Sequence, residues 1–248
     1  MRLLGSTVGV RCGGAALQLI FTLFVARLAP SMDEAGAVLF CVAATQLAAT
    51  LSRGGTELSA LRELGALESS DYSMVGLQVV GERLAFVVSC SFLVGAGALA
   101  SIAVAPPLEI ARASATLAAA VPAIPALALV GLAAEVLKGL NRPIVGVAIQ
   151  NLVAPAISLV VLLTWSSVSE ASALSITGAF VAGSLATAVL ATHLLGSALG
   201  GLRTLVAASR PSDRLWVLLA QSRKLLVVTL APSILQWTGT IMLGLLAA

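Results

Sequence analysis

Seven apolar runs, each long enough to cross a lipid bilayer as a helix, constrain this chain more than any other feature. They cover residues 6–29, 35–52, 83–105, 113–137, 143–165, 171–195 and 225–247. Polar and apolar residues rarely alternate within them, and an isolated sheet would leave unpaired edges in lipid, so helices are favoured over strands. The sequence therefore predicts an all-α polytopic membrane protein.

The composition agrees with lipid as the main solvent of the chain. Of the 248 residues, 59% are hydrophobic and 10% are charged, whereas a soluble domain has about 25% charged residues. The cysteines and the one histidine have no metal-ligand spacing, so we predict neither a metal site nor a cofactor. The net charge of +3 is spread over loops, which a membrane protein explains without a nucleic-acid partner.

Positively charged residues are distributed unevenly between the loops. The loops after runs two, four and six contain ten, namely Arg53, Arg62, Arg83, Lys138, Arg142, Arg203, Arg210, Arg214, Arg223 and Lys224. The loops after runs one, three and five contain two, Arg27 and Arg112. The positive-inside rule therefore predicts that the N-terminus and the loops after runs two, four and six of this multi-pass protein lie in the cytoplasm.

Two of the predicted cytoplasmic segments are longer than turns. Residues 56–67 place Leu58, Leu61 and Leu64 on one flank and predict a short helix at the membrane interface. Residues 196–224 form a basic linker. We expect residues 1–195 to be a six-helix N-terminal lobe and residues 225–248 to be the first helix of a truncated second lobe.

The first run has a polar face. Arg11, Gln18 and Thr22 lie seven and eleven positions apart, so one helical face presents all three to protein or to an aqueous cavity. Arg11 has two interpretations that the sequence leaves open: it extends to the lipid headgroups, or it faces a cavity and attracts an anion. Glu135 is the best candidate for an internal ion-pair partner.

The opposite face of the first run consists of small residues. Gly5, Gly9 and Gly13 form a GxxxGxxxG pattern, which predicts close packing on a neighbouring helix.

The seventh run repeats the design of the first. Its polar residues recur at helical spacing: Thr229, Ser233, Gln236 and Thr240. Gln18 and Thr22 match Gln236 and Thr240 at a constant offset of 218 positions, as expected for transporters built from repeated helical bundles.

Further polar residues occur within runs two and five, namely Gln46, Thr50, Gln150, Asn151 and Ser158. Such residues are common in packed membrane helices, but they also suit a cavity that binds a polar cargo. Four prolines are candidates for helix kinks: Pro122, Pro125, Pro155 and Pro232.

The chain resembles the polysaccharide-transporter flippases of the multidrug/oligosaccharidyl-lipid/polysaccharide superfamily. The resemblance is carried by an early arginine in the first span, an Ala-Arg-Leu element at its outer end, a glycine after it, a glycine turn with a following arginine, and the junction of spans four and five. These are Arg11, Ala26-Arg27-Leu28, Gly36, Gly54-Gly55, Arg62 and residues 135–155. Members have two six-helix lobes, and this chain covers one lobe and one helix.

The resemblance implies a non-enzymatic transporter of the bacterial inner membrane. It would move a polyprenyl-diphosphate-linked oligosaccharide, an O-antigen or polysaccharide repeat unit, from the inner to the outer leaflet by alternating access. Its partners would be the lipid-linked oligosaccharide, membrane lipids and glycan-assembly proteins. The substrate-binding candidates are Arg11, Gln18, Thr22, Gln46, Gln150, Asn151 and Gln236.

Two other functions stay open at this point, as does a third option, a non-transporting half or a gene fragment. A drug/cation antiporter of the same superfamily would favour acidic residues within the spans, and the first span has none. A membrane-embedded glycan polymerase or ligase would need acid–base or nucleophilic groups near the outer surface.

Overall fold

The structure, a computed structural model, describes residues 2–67, 75–104, 111–167, 170–208 and 215–247. Within these ranges the chain is helical and contains no strand. The helices are α1 (Arg2–Leu28), α2 (Met32–Arg53), α3 (Thr56–Gly65), α4 (Val75–Val104), α5 (Ala111–Ala120), α6 (Ala123–Gly139), α7 (Pro143–Ala148), α8 (Ala154–Ser166), α9 (Ala173–Ala198), α10 (Leu202–Ala208) and α11 (Leu215–Ala247), with a π turn at Ile149–Val153 between α7 and α8. The predicted all-α class is therefore confirmed for the described residues.

Five helices are long and apolar enough to cross a membrane: Gly5–Leu28, Met32–Arg53, Val75–Ala103, Pro143–Ser166 and Ala173–Ala198. A sixth crossing is possible if α5 and α6, which meet at a 40° bend, form one broken span. The protein is thus a multi-pass helical membrane protein. The bend falls at the predicted Pro122 position. The run at 225–247 lies within α11, and its role as a seventh span stays a prediction.

Helix α6 is the centre of the bundle. It packs against α2, α3, α4 and α9, and most of its residues are buried. Its sequence is rich in alanine, leucine, valine and glycine around the whole circumference, as expected of a helix that has neighbours on all sides. Helix α11 lies outside it and packs against α2 and α3.

Two glycines make the turn that joins α2 to α3. Gly54 and Gly55 both have left-handed backbones, with φ of 59° and 78°, a conformation that favours glycine. A side chain on Gly55 would also collide with the backbone of α11 near Ser222 and Leu226. The turn therefore allows α3 to fold back under the bundle while α11 lies against it. We call this side of the bundle, where α2 ends and α3 begins, the α3 end.

The predicted short helix after α2 is confirmed, but its buried face differs from the expected one. Glu57, Ala60 and Leu64 are buried, at intervals of three and four residues, because α3 packs against α4, α6 and α11. Leu58 and Leu61 are only partly buried. The burial of a carboxylate on this inner face is the feature that the sequence did not predict.

Helix α3 is also tied to α4. Arg83 is 2% exposed and donates from Nε to Ser59 Oγ at 3.2 Å and from Nη2 to Glu63 Oε1 at 2.5 Å. The described part of the predicted linker, residues 196–224, consists largely of helix, including α10.

The close packing predicted for Gly5 and Gly9 is wrong. A β-carbon at either position would meet no atom of the described structure within 4 Å, and one at Gly13 would only touch Leu152. The tight contact occurs at Gly14, where a β-carbon would overlap the backbone of Asn151. Helix α1 therefore approaches its neighbour on the face that carries Arg11, rather than on the opposite face.

Candidate functional site: a polar cavity in the bundle

A cavity of about 270 Å³ lies between α1, α2, α6, α8, α9 and α11. Polar and small side chains from several helices meet in it. The lining residues are Arg11, Gly14, Ala15, Gln18, Phe21, Gln46, Thr50, Arg53, Leu127, Val130, Gly131, Gln150, Asn151, Ala154, Pro155, Ser158, Phe180, Ser233 and Trp237.

Helix α1 contributes the wall that contains Arg11. Arg11, Gly14 and Gln18 line the cavity because positions spaced by three, four and seven residues share one helical face. The Arg11 side chain is exposed. Within the described ranges it has no hydrogen-bond or ion-pair partner, so its guanidinium is available to a ligand.

Helix α2 contributes a second wall with a second arginine. Gln46, Thr50 and Arg53 line the cavity from successive turns. Arg53 donates from Nη2 to Thr50 Oγ1 at 2.9 Å, and Thr50 donates to the carbonyl of Gln46 at 3.0 Å. The guanidinium of Arg53 lies against Gly131 of α6, where a β-carbon would overlap it. The missing side chain at position 131 thus leaves room for Arg53 at the cavity.

The π turn between α7 and α8 supplies two amides. Gln150 and Asn151 both line the cavity, and Asn151 donates from Nδ2 to the carbonyl of Val147 at 2.9 Å. Pro155 has no N–H to offer the carbonyl of Asn151 four residues earlier, which disrupts the α-helical ladder at this point. Such π turns inside helices occur frequently at functional sites.

Two ion pairs border the cavity at the α3 end. Lys138 donates from Nζ to Glu135 Oε1 at 2.6 Å and to Gln150 Oε1 at 3.1 Å. The expected pairing of Arg11 with Glu135 is therefore wrong, since Glu135 is occupied by Lys138 from its own helix, three residues away.

The second ion pair joins Arg53 Nε to Glu57 Oε1 at 3.9 Å. Burial raises the pKa of the Glu57 carboxyl. The charge of Arg53 and the backbone N–H of Glu57 itself oppose this rise, and the negative charge of Glu135 adds to it.

The other end of the cavity is apolar. Phe21, Leu127 and Phe180 are largely buried there, and Phe21 lies roughly 15 Å beyond Arg11 along α1 at the helical rise of about 1.5 Å per residue. Past Phe21 along α1, Val25 is fully buried. The backbone N–H of Ala173 donates to Glu34 Oε2 at 3.2 Å, which ties the start of α9 to the start of α2.

Five of the seven predicted substrate-binding residues come together in this cavity: Arg11, Gln18, Gln46, Gln150 and Asn151. Thr22 is not among its lining residues, and its hydroxyl donates to the carbonyl of Gln18 at 2.9 Å instead. Gln236 lies in α11, but its side chain is outside the described part of the structure.

Arg53 was predicted only as a positive loop charge, and its place in the cavity was not predicted. A signal was present: Gln46, Thr50 and Arg53 are spaced by four and three residues, so the polar face of run two extends to Arg53. Trp237 was also missed, since nothing in its local sequence distinguishes it from a lipid-facing aromatic residue.

The cavity combines two guanidinium groups with neutral amides and hydroxyls. Arginine presents five N–H donors in a planar fork that matches phosphate oxygens. Amide and hydroxyl groups both donate and accept hydrogen bonds, as sugar hydroxyls require. Among the described residues no group of three or more His, Cys, Asp or Glu side chains could hold a metal ion.

Comparison with known proteins returned no match to this chain among family models, curated proteins or solved structures.

Proposed function

We propose that this protein is a membrane transporter that flips a polyprenyl-diphosphate-linked oligosaccharide from the inner to the outer leaflet. The observation that carries the proposal is that Arg11 and Arg53 line the same cavity as the amides of Gln18, Gln46 and Gln150. The resemblance of the sequence to the polysaccharide-transporter flippases supports the same cargo.

The two arginines suit an anionic headgroup. Each guanidinium can form paired hydrogen bonds to phosphate oxygens, and a charge at membrane depth is costly unless it serves a ligand, a partner or water. Arg11 lies well inside α1 and faces the cavity without a partner in the described structure. A diphosphate would provide the negative charge that this site lacks.

The neutral groups suit a glycan. Gln18 shares a helical face with Arg11 and Gln46 shares one with Arg53, and Asn151, Ser158 and Ser233 also line the cavity. Trp237 and Phe180 add aromatic surface. These uncharged groups would bind a sugar without adding a further charge to the cavity.

In the proposed topology the N-terminus and the α3 end are cytoplasmic. The positive loop charges favour this orientation. The arginines of the cavity lie towards the α3 end, whereas the buried Phe21 and Val25 and the contact of Glu34 with Ala173 lie towards the opposite end. The cavity would then be accessible to cargo made on the cytoplasmic side. The 218-residue repeat favours α11 as the start of a second bundle.

The other two functions fit the cavity less well. A cationic drug would be repelled by Arg11 and Arg53, and the lining residues within the described structure contain no carboxylate. A glycan polymerase or ligase would need an acid, a base or a nucleophile at its reacting atoms, and the described lining residues offer guanidinium, amide and hydroxyl groups.

The test is export of surface glycan in the native cell after substitution of Arg11. Arg11→Ala should abolish export with near-normal abundance of the protein in the membrane. Arg11→Lys should restore it only in part, since lysine offers a point charge in place of a bidentate fork.

Arg27→Ala is the matched control, because Arg27 is an exposed arginine at the opposite end of the same helix. It should have a milder effect than Arg11→Ala. Normal glycan export by Arg11→Ala at matched abundance would contradict the proposed role of the cavity.

A further inference from the structure

Glu57 is a buried carboxylate that the proposed transport function does not use. It lies in the first turn of α3 with 2% of its surface exposed. Neither of its carboxylate oxygens accepts a hydrogen bond from another residue in the described structure. A buried charge without hydrogen bonds is costly in free energy. Protonation of the Glu57 carboxylate would remove that cost.

The charges around Glu57 come from every neighbouring helix. Arg53 of α2 is the nearest cation, and Glu135 of α6 acts on Glu57 as a like charge although Lys138 pairs with it. Arg83 of α4 is occupied by Glu63 and Ser59. Two cations of α11 are exposed: Arg223 and Lys224. Glu57 therefore depends on Arg53 for compensation.

The contact between Glu57 and Arg53 is an incomplete one. At 3.9 Å between Arg53 Nε and Glu57 Oε1 the two form an ion pair but no hydrogen bond, and Arg53 Nε has no hydrogen-bond partner among described residues. The same guanidinium lines the cavity. Arg53 is thus placed between an internal carboxylate and the space that a ligand would occupy.

We propose that Arg53 and Glu57 form a proton-linked anion site, in which an anion in the cavity takes over the Arg53 guanidinium and Glu57 takes up a proton from solvent. The proton binds a carboxylate oxygen of Glu57, so the buried pair gains one positive charge as the anion brings its negative charge. The linkage is reciprocal: protonated Glu57 strengthens anion binding by the same factor as the anion favours protonation. The inference rests on the proposed function only for the anionic nature of the cargo.

Sulfate is a suitable probe, since it stays a dianion across the working pH range and any proton taken up must bind to the protein. Calorimetric titration of the purified protein with sulfate, in two buffers of different ionisation enthalpy, measures proton uptake. The wild-type protein should take up a proton on binding, and its sulfate affinity should fall by up to about tenfold per pH unit above the pKa of Glu57.

Glu57→Gln should bind sulfate with no linked proton and with an affinity that no longer depends on pH, because glutamine mimics the protonated acid. Glu63→Gln is the matched control, since Glu63 is an exposed carboxylate of the same helix that pairs with Arg83. It should take up protons as the wild type does. Arg53→Ala should lose both sulfate binding and the linked proton.

Three outcomes would overturn the inference: no sulfate binding by the wild type, equal proton uptake by the wild type and Glu57→Gln, or full sulfate binding by Arg53→Ala. Failure of the proposed function is distinguishable from these results. A protein that exports no glycan but shows Glu57-dependent proton uptake would retain the proton-linked site and lose the glycan assignment.

Discussion

The guanidinium of Arg53 lies against the backbone of Gly131, in a space that a side chain at position 131 would occupy. The two residues come from α2 and α6, and both line the cavity. Arg53 keeps its place through Thr50 on its own helix and through the absence of a β-carbon on the facing one. The absence of a side chain at position 131 of α6 therefore determines where the guanidinium of Arg53 can lie.

Gly131→Ala should displace Arg53 without unfolding the protein, because the group that must move is the end of a flexible side chain. Loss of a charged hydrogen bond to the ligand costs about 1.5–3 kcal/mol, so sulfate affinity should fall by about tenfold to a hundredfold. The measurement is sulfate titration of the purified variant. Gly178→Ala is the control and should bind as the wild type does, because a β-carbon at position 178 would meet no described atom of a neighbouring element within 4 Å. Unchanged affinity in Gly131→Ala would show that Arg53 does not contact the anion.

Gly14→Ala should destabilise the protein, whereas Gly9→Ala should not. A β-carbon at Gly14 would overlap the backbone of Asn151, and one at Gly9 would meet no described atom within 4 Å. Overpacking of this kind costs about 1–3 kcal/mol, while alanine in an open helical position is favoured over glycine by about 0.5–1 kcal/mol. Thermal unfolding in detergent, followed by tryptophan fluorescence, compares the two variants. A larger loss of thermal stability in Gly9→Ala than in Gly14→Ala would mean that α1 packs through the face that contains Gly5, Gly9 and Gly13.

Cysteine labelling should place the α3 end inside the cell. In a background without the three native cysteines, Met32→Cys and Glu170→Cys should react with an impermeant thiol reagent from outside. Arg62→Cys and Arg142→Cys should react only after the membrane is permeabilised. All four positions are exposed in the structure, so access depends on the side of the membrane and not on burial. The reverse pattern would invert the proposed orientation.

Glu57 should make the stability of the protein fall as the pH rises. Burial raises the pKa of Glu57 in the folded state, against the opposing charge of Arg53, so the folded protein holds this proton more tightly than the unfolded chain does. The stabilisation is fully present below the ordinary pKa of a glutamate and is lost as the pH rises through the folded pKa.

The unfolding temperature of Glu57→Gln should therefore rise relative to that of the wild type as the pH increases over this window. Glu63→Gln, measured alongside, should run parallel to the wild type. Parallel curves for Glu57→Gln as well would mean that Glu57 titrates near its ordinary value.

Part of the cavity could be predicted from helical spacing alone. Arg11 and Gln18 share a face because they are seven positions apart, and the same arithmetic extends from Gln46 through Thr50 to Arg53. Helical spacing could not predict that Gln150 and Asn151 line the same cavity as these two faces. Their position depends on the π turn before Pro155 and on the approach of Gly14 to the Asn151 backbone.

The sequence by itself determined the class of the protein. Long apolar runs with few charges admit only helices in lipid, because every backbone N–H and C=O must be satisfied within its own segment. The tertiary structure alone decided which small residues bring helices together and which charges meet. It placed the contact at Gly14 rather than Gly9, paired Glu135 with Lys138 rather than Arg11, and buried Glu57 beside Arg53. Helical periodicity sets which residues share a face, but the neighbour of that face depends on how several helices pack at once.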